Sequence, residues 1–163
     1  MLDRLRPLGR LSPMGKQPSA RHLALAADVW RRMFEFFIAT SGQRQQVLAE
    51  LDLTPNDSRA LYTLDSREGR TMRSLADQWG CDASNATWIV DRLESRGIAE
   101  RREKPGDRRV KLVVLTAAGV RTRERLRAGM YEPPPELVAL PSAALKALEA
   151  ATSNLPIRND AAS

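Results

Sequence analysis

The sequence has very few of the residues that build reactive or metal-binding centres. Among its 163 residues there is one histidine, His22, and one cysteine, Cys81. A zinc site of the usual kind needs four ligands drawn mainly from these two residue types. A Ser/His/Asp catalytic set would have to use His22, which borders the N-terminal arm. No glycine-rich phosphate loop follows a predicted strand. We therefore expect no catalytic residues, no metal site and no cofactor.

Long apolar runs and paired cysteines are also missing. No run approaches the roughly 18 apolar residues of a membrane span, so we expect no membrane partner. The N-terminus alternates Arg with Leu and Pro, unlike the continuous apolar core of a secretory signal. A single cysteine forms no internal disulfide, and a reducing, cytoplasmic location is the simple interpretation. Aromatic residues are only 5% of the chain, but 42% apolar residues suffice for one ordinary domain.

Positive charge is what the chain has in excess. Its formal net charge is +6 and its pI is about 10.2, which suits a polyanionic partner. The excess is concentrated in residues 92–111, where eight Lys or Arg stand against four Asp or Glu. A solvated charged hairpin is one interpretation of this segment, and contact with nucleic-acid phosphates is the other.

Two short helices joined by a tight turn are predicted just before this segment. Thr71 caps the first, Gly80 ends it, and its apolar residues follow the i, i+3, i+4, i+7 pattern: Met72, Leu75, Ala76 and Trp79. Asp82 caps the second, whose apolar side is Ala83, Ala86, Ile89, Val90 and Leu93. Such a pair is a helix-turn-helix, whose second helix meets base edges in the major groove. The candidate base-reading residues are Ser84, Asn85 and Thr87.

Trp88 falls on the side of the second helix opposite its apolar stripe. One explanation is contact with DNA, by packing on sugar or on thymine methyl groups. The other is contact with another element, or plain surface exposure. We expect Trp88 to belong with the DNA-reading residues.

A β-hairpin is predicted to follow the second helix, which ends at Gly97. Lys104 to Asp107 has the Pro-Gly pattern of a turn, and residues 110–114 then read as a strand. The hairpin is tipped by charged residues, namely Lys104, Asp107, Arg108 and Arg109. A cationic hairpin directly after a helix-turn-helix indicates a wing that contacts phosphates or the minor groove.

These motifs together resemble the winged helix of MarR-family transcriptional regulators. The resemblance covers residues 53–119 and is carried by Leu75-Ala76, Ser84-Asn85, Val90 to Glu94, Gly97-Ile98, Glu100-Arg101, Asp107 to Arg109 and Leu115 to Gly119. It implies that Asp107 holds a wing arginine by a salt bridge and that Arg109 enters the minor groove, with Arg108 nearby. It also implies a ligand pocket between the N-terminal helix and the winged helix. Trp30, Phe34 and Phe37 are pocket candidates, although core or interface packing is the commoner role of such a stripe.

The expected fold is mainly α with a small β-hairpin wing, a winged helix-turn-helix flanked by N- and C-terminal dimerisation helices. Its expected parts are a disordered basic arm (1–20), N-terminal dimerisation helices (21–52), the DNA-binding region (53–119), C-terminal dimerisation helices (120–156) and a disordered tail (157–163). The apolar stripe of residues 21–40 is wider than one small domain can cover, so a second subunit is its expected cover.

Two functions fit this fold. The first is a homodimeric, sequence-specific regulator of double-stranded DNA, a repressor released by a small aromatic or lipophilic effector. The second is an architectural DNA-binding protein with little sequence preference and no ligand. The specificity ratio and the salt dependence of binding separate the two. Cys81 lies in the predicted turn, away from the first helix where oxidant-sensing members of the family carry their cysteine, so we expect packing rather than redox sensing.

Overall fold

The structure is a computed structural model and describes residues 17–156. The predicted tail and most of the predicted basic arm lie outside the described residues. The chain divides into two compact units, one ending at Ala39 and one beginning at Thr40. In the first unit a single long helix, α1, spans Ala20–Ala39. It begins and ends one residue earlier than the sequence predicts.

Helix α1 buries none of its own residues. Its apolar side chains are exposed along its whole length, namely Leu23, Leu25, Val29, Trp30, Met33, Phe34, Phe36, Phe37 and Ile38. Its polar side is held by ion pairs along the helix, with Asp28 bridged to both Arg31 and Arg32. These two guanidinium groups lower the pKa of the Asp28 carboxyl, Arg32 having the larger effect.

The second unit contains seven helices and three strands within its described residues. In chain order they are α2 (Ser41–Glu50), α3 (Pro55–Thr63), β1 (Arg70–Thr71), α4 (Met72–Trp79), α5 (Ala83–Ser95), β2 (Ala99–Lys104), β3 (Asp107–Leu115), α6 (Ala117–Tyr131), α7 (Pro135–Val138) and α8 (Ser142–Thr152). A mainly helical fold with a small hairpin wing is therefore confirmed. None of the helices within residues 17–156 is both long enough and apolar enough to span a membrane.

The sheet has three antiparallel strands in the order β1-β3-β2. Strands β2 and β3 form the predicted hairpin, and β1 adds two residues to its outer edge, with Thr71 opposite Leu112. The sequence patterns predicted no strand here. Helix α3 ends at Thr63, and Arg70 then pairs with β3. The absence of a side chain at Gly69 lets this segment pass close to β3, since a Cβ there would lie 2.5 Å from the Leu112 Cβ.

The core lies where α3, α4, α5, β3 and α6 meet. Its largest fully buried side chains are Leu61, Leu64, Leu75, Ile89, Val90, Leu93, Val113, Leu115 and Leu126. Trp79 is buried too, and its indole N–H donates to the Thr63 hydroxyl at 2.9 Å. The predicted inner faces of α4 and α5 are therefore largely confirmed. The exception is Ala83, which is exposed because the first turn of α5 extends beyond the core.

Each helix of the helix-turn-helix begins and ends as the sequence predicts. The Thr71 hydroxyl accepts from the Ser74 N–H at 3.2 Å, and the Asp82 carboxylate accepts from the Asn85 N–H at 2.8 Å. Gly80 has φ +61° and Gly97 has φ +65°, the left-handed conformation in which glycine carries no Cβ penalty. After Gly97 the Ile98 N–H returns to the Leu93 carbonyl at 2.9 Å, which turns the chain sharply into β2.

The C-terminal helices follow the sequence less closely. The expected C-terminal helices (120–156) are three: α6, which already begins at Ala117, the four-residue α7 that begins at Pro135, and α8, which ends at Thr152. On and after α8, Leu145, Leu148 and Leu155 are exposed, so this apolar line has no cover within the described chain.

Candidate nucleic-acid interface

The N-terminal part of α5 has an outward face whose side chains are mostly exposed and do not pack in the core. Ser84, Thr87 and Trp88 are exposed there, Trp88 to 54%, and Asn85 is half-buried. On the opposite side Ala86, Ile89, Val90 and Leu93 are buried. The core therefore fixes α5 by one side only and leaves the candidate base-reading residues on its outer side.

Two of these residues have polar groups already engaged. The Thr87 hydroxyl donates to the Ala83 carbonyl at 2.8 Å, so its proton is committed within the helix. The Asn85 backbone N–H is bound by the Asp82 cap, and no side-chain hydrogen bond of Asn85 is formed with the described residues. The Asn85 amide is thus the group of this pair that is available for two hydrogen bonds to a base. Sequence reasoning missed the Thr87 bond, although a helical threonine commonly bonds back four residues.

A shallow open hollow of about 410 Å³ lies on this outward face. It is lined by Ala83, Ser84, Thr87, Trp88 and Asp91. The Asp91 carboxylate at its far end accepts from the Arg101 guanidinium at 2.8 Å. The hollow belongs to α5 alone, because all five lining residues are on that helix.

The wing projects its charge at a tight turn. Pro105 and Gly106 form the tip, and Gly106 has φ +83°, which the third residue of a type II turn requires. All residues from 102 to 109 are exposed. Arg108 has only a long ion pair with Glu103, at 3.8 Å, and neither Lys104 nor Arg109 forms an ion pair with the described residues. Positive charge therefore stands in solvent at the tip.

The Asp107 carboxylate has a different role from the one that the resemblance implies. It accepts a hydrogen bond from the backbone N–H of Arg109 at 3.1 Å and forms no salt bridge with the described residues. An aspartate bonded to the N–H two residues on fixes the local backbone turn. Asp107 thus shapes the chain that carries Arg109 rather than holding its guanidinium.

Three arginines in the basic segment are engaged by the body of the protein. Arg92 donates to the Asp57 carboxylate at 2.9 Å, and Arg96 donates to the Asp52 carbonyl at 2.6 Å. Arg101 bridges two carboxylates of α5, those of Asp91 and Glu94. The local charge excess predicted from the sequence is therefore divided between scaffold arginines near the helix and outward cations at the wing tip.

Asp57 is the most deeply buried charged residue described, with no solvent exposure. One carboxylate oxygen accepts both from Arg92 and from the Thr54 backbone N–H, at 2.9 and 2.8 Å. The Thr54 hydroxyl accepts from the Asp57 N–H at 3.1 Å in return, a reciprocal cap at the start of α3. This group ties α3 to α5. The Thr-x-x-Asp spacing could have revealed the cap, but nothing near it in sequence reveals the distant arginine.

The pocket candidates of α1 lie on the exposed apolar side of that helix. Trp30, Phe34 and Phe37 are each more than half exposed, and the Trp30 and Phe34 ring centroids are 6.3 Å apart. Cys81, in the turn between α4 and α5, is partly buried and packs against the core. Within residues 17–156 no group of three or more His, Cys, Asp or Glu is arranged to hold a metal ion.

Residues 53–111 match the model of the MarR family, and they contain both the helix-turn-helix and most of the wing. Over this segment, about a third of the chain, the sequence is similar to the MarR family. The transcriptional repressor MprA of Escherichia coli (strain K12) is 44% identical over 62 residues, which are 37% of this chain and 35% of MprA. The match thus spans about a third of the length of that relative.

Solved structures extend the likeness in fold beyond that segment. YusO from Bacillus subtilis superposes with a TM-score of 0.66 at 22% identity, over 83% of this chain and 96% of YusO. A variant of S. aureus MepR bound to an oligodeoxyribonucleotide gives 0.60 at 20% identity, over 75% and 93%. At such identities the shared property is the fold. The matched segment is thus similar to transcriptional regulators, in line with the resemblance drawn from the sequence.

Proposed function

We propose that the chain is a homodimeric, sequence-specific transcriptional repressor that binds double-stranded DNA and is released by a small aromatic or lipophilic effector. The observation that carries this proposal is that the arginines of the basic segment (92–111) fall into two groups, one bonded within the fold and one exposed. Arg92, Arg96 and Arg101 are engaged by the scaffold, whereas Arg108 and Arg109 stand in solvent at the wing tip beside an outward-facing recognition helix. We place the protein in the cytoplasm, where its DNA would be.

In this proposal α5 enters the major groove and the wing follows the backbone into the minor groove. Asn85 reads a base edge with its amide, Ser84 and Trp88 contact the same groove, and Arg109 supplies the minor-groove cation, with Arg108 beside it on the phosphates. MepR, which has this fold, was crystallised with an oligodeoxyribonucleotide and supports DNA as the partner. The corresponding role of MprA is that of a transcriptional repressor, which supports the sign of regulation.

A second copy of the chain is the partner that we propose for the apolar side of α1. Nine large apolar side chains are exposed on this one helix, more than scattered surface residues account for. The exposed Leu145, Leu148 and Leu155 add a second apolar line at the other end of the chain. Two heads would then bind successive major grooves about 34–36 Å apart on one DNA face.

The effector is proposed to bind Trp30, Phe34 and Phe37. Flat and apolar side chains at this density favour aromatic or lipophilic ligands. The ligand would weaken DNA binding only by the difference in its affinity for the two arrangements of the heads. A panel of phenolic and lipophilic acids, titrated into the protein–DNA complex, tests this step. Release by a member of the panel, reduced in Trp30→Ala, is expected, and the absence of release by every acid would remove the effector from the proposal.

The experiment that tests the function as a whole is selection from a library of genomic fragments at about 150 mM salt with excess random competitor. A retained pseudo-palindrome with half-sites one helical turn apart is the expected result. Retention without a motif would indicate an architectural DNA-binding protein instead. Sedimentation equilibrium of Leu25→Ser and of Arg32→Ser tests the dimer. Only the apolar change should weaken association, and equal dissociation constants would contradict an α1 interface.

A further inference from the structure

The hollow on the outward face of α5 has a chemical character that the sequence alone does not reveal. Its residues follow one another at positions i, i+1, i+4, i+5 and i+8, so they share one side of the helix: Ala83, Ser84, Thr87, Trp88 and Asp91. Two of them, Thr87 and Asp91, have polar groups that are already bonded within the protein. The hydrogen-bonding groups left for an approaching molecule are therefore fewer than the residue types indicate.

More of the surface lining the hollow is apolar than polar. Because the Thr87 hydroxyl donates to the Ala83 carbonyl at 2.8 Å, its methyl group is the part left for outside contact. The Ala83 methyl and the Trp88 indole complete the apolar surface, and Trp88 is 54% exposed. Contact between this exposed indole and an apolar group of a partner would be favourable.

The electrostatics of the hollow select which part of DNA could cover it. The Asp91 carboxylate lies at its end, neutralised in part by Arg101 at 2.8 Å but still more than half exposed. A carboxylate beside the indole disfavours a phosphate there. The apolar group that a base pair presents in the major groove is the 5-methyl of thymine. An apolar hollow with an acidic edge therefore fits a thymine edge better than the sugar–phosphate backbone.

We propose that this hollow reads a thymine methyl group in each half-site, with Trp88 and the Thr87 methyl as its specificity-determining surfaces. The inference rests on the proposed function and adds to it the base that α5 recognises. Asn85 would supply hydrogen-bonded reading, and the hollow would supply apolar reading, on the same turn of the helix. Thr87 accordingly acts through its methyl group rather than as the hydrogen-bond donor that its residue type indicates.

Replacement of single thymines by deoxyuridine in the selected operator tests this, because deoxyuridine differs from thymidine only in lacking the 5-methyl group. At one thymine per half-site, the wild type should bind the deoxyuridine operator about fourfold more weakly, the effect of one buried methyl. Trp88→Ala should bind the thymine operator more weakly and lose the difference between the two DNAs. Thr87→Ser, which keeps the hydroxyl and removes the methyl, should reduce the difference in affinity between the two operators.

Ser95→Ala is the matched control, since Ser95 is exposed two turns further along α5 and outside the hollow. It should keep the full deoxyuridine penalty. Selective wild-type binding with no penalty at any thymine would overturn the inference and leave the proposed function standing. Weaker binding by Trp88→Ala with an unchanged penalty would also overturn it, and would indicate packing on sugar. Failure of the wild type to select any DNA would count against the proposed function itself.

Discussion

Asp57→Ala should destabilise the protein by about 3 kcal/mol without removing a DNA contact. The carboxylate is fully buried, caps α3 through the Thr54 N–H at 2.8 Å and binds the Arg92 guanidinium at 2.9 Å. Loss of a cap costs about 1 kcal/mol. Breaking a buried ion pair costs about 3–5 kcal/mol, but the Arg92 side chain is 31% exposed and regains some hydration, so its share is nearer 2 kcal/mol.

Urea denaturation at fixed protein concentration measures this, since a dimer's apparent stability depends on concentration. Arg92→Met supplies the second single variant, and the double variant completes a cycle. The two changes should be non-additive by about 1–3 kcal/mol because they remove the same contact. A loss below about 1 kcal/mol in Asp57→Ala, or strict additivity, would refute the reasoning. Arg92→Met should also leave the salt slope of DNA binding unchanged, because a scaffold arginine releases no counterions.

Three further predictions concern the interface and the helices. In the proposed dimer, Arg109→Ala removes one cation from each of two wings, so it should weaken DNA binding and flatten the salt slope by about two units. Arg125→Ala, an exposed change of equal charge on α6, should do neither, and equal effects would remove the wing from the mechanism. Asn85→Ala should cost roughly 1–3 kcal/mol on the selected operator and almost nothing on random DNA, and a uniform loss would indicate a folding role. Gly119→Ala should destabilise α6 by about 2 kcal/mol or more, because its Cβ would lie 2.0 Å from the Ile98 carbonyl oxygen. Gly42→Ala in α2 meets nothing within 4 Å and should gain up to about 1 kcal/mol in thermal denaturation, so a similar loss in both would contradict the steric argument.

The sequence predicted best what is local and periodic. Thr71, Gly80 and Asp82 mark helix ends by bonds within a few residues, and the structure confirms all three. The inner face of α5 follows from its 3.6-residue period and a core that lies on one side. Such features need no knowledge of the rest of the chain.

What the sequence could not predict depends on partners distant along the chain. Strand β1 is only two residues long and exists because β3 offers it an edge more than forty residues later. Arg92 resembles the wing arginines in composition, but it is held by a carboxylate 35 positions away. The role of Asp107 was not predicted for another reason. The resemblance implied a salt bridge with an arginine, whereas the Asp107 carboxylate accepts from the backbone N–H of Arg109.

The three strands of the sheet differ in length, so the hairpin of β2 and β3 extends beyond β1. Near its base the hairpin is supported by β1 and by the core beneath Val113 and Leu115. Beyond that support, residues 102–109 have no buried side chain. Substitutions at the tip therefore alter its charge and reach at almost no cost in folding free energy. In the proposed function, single substitutions at the wing tip can therefore change the affinity for DNA without destabilising the fold.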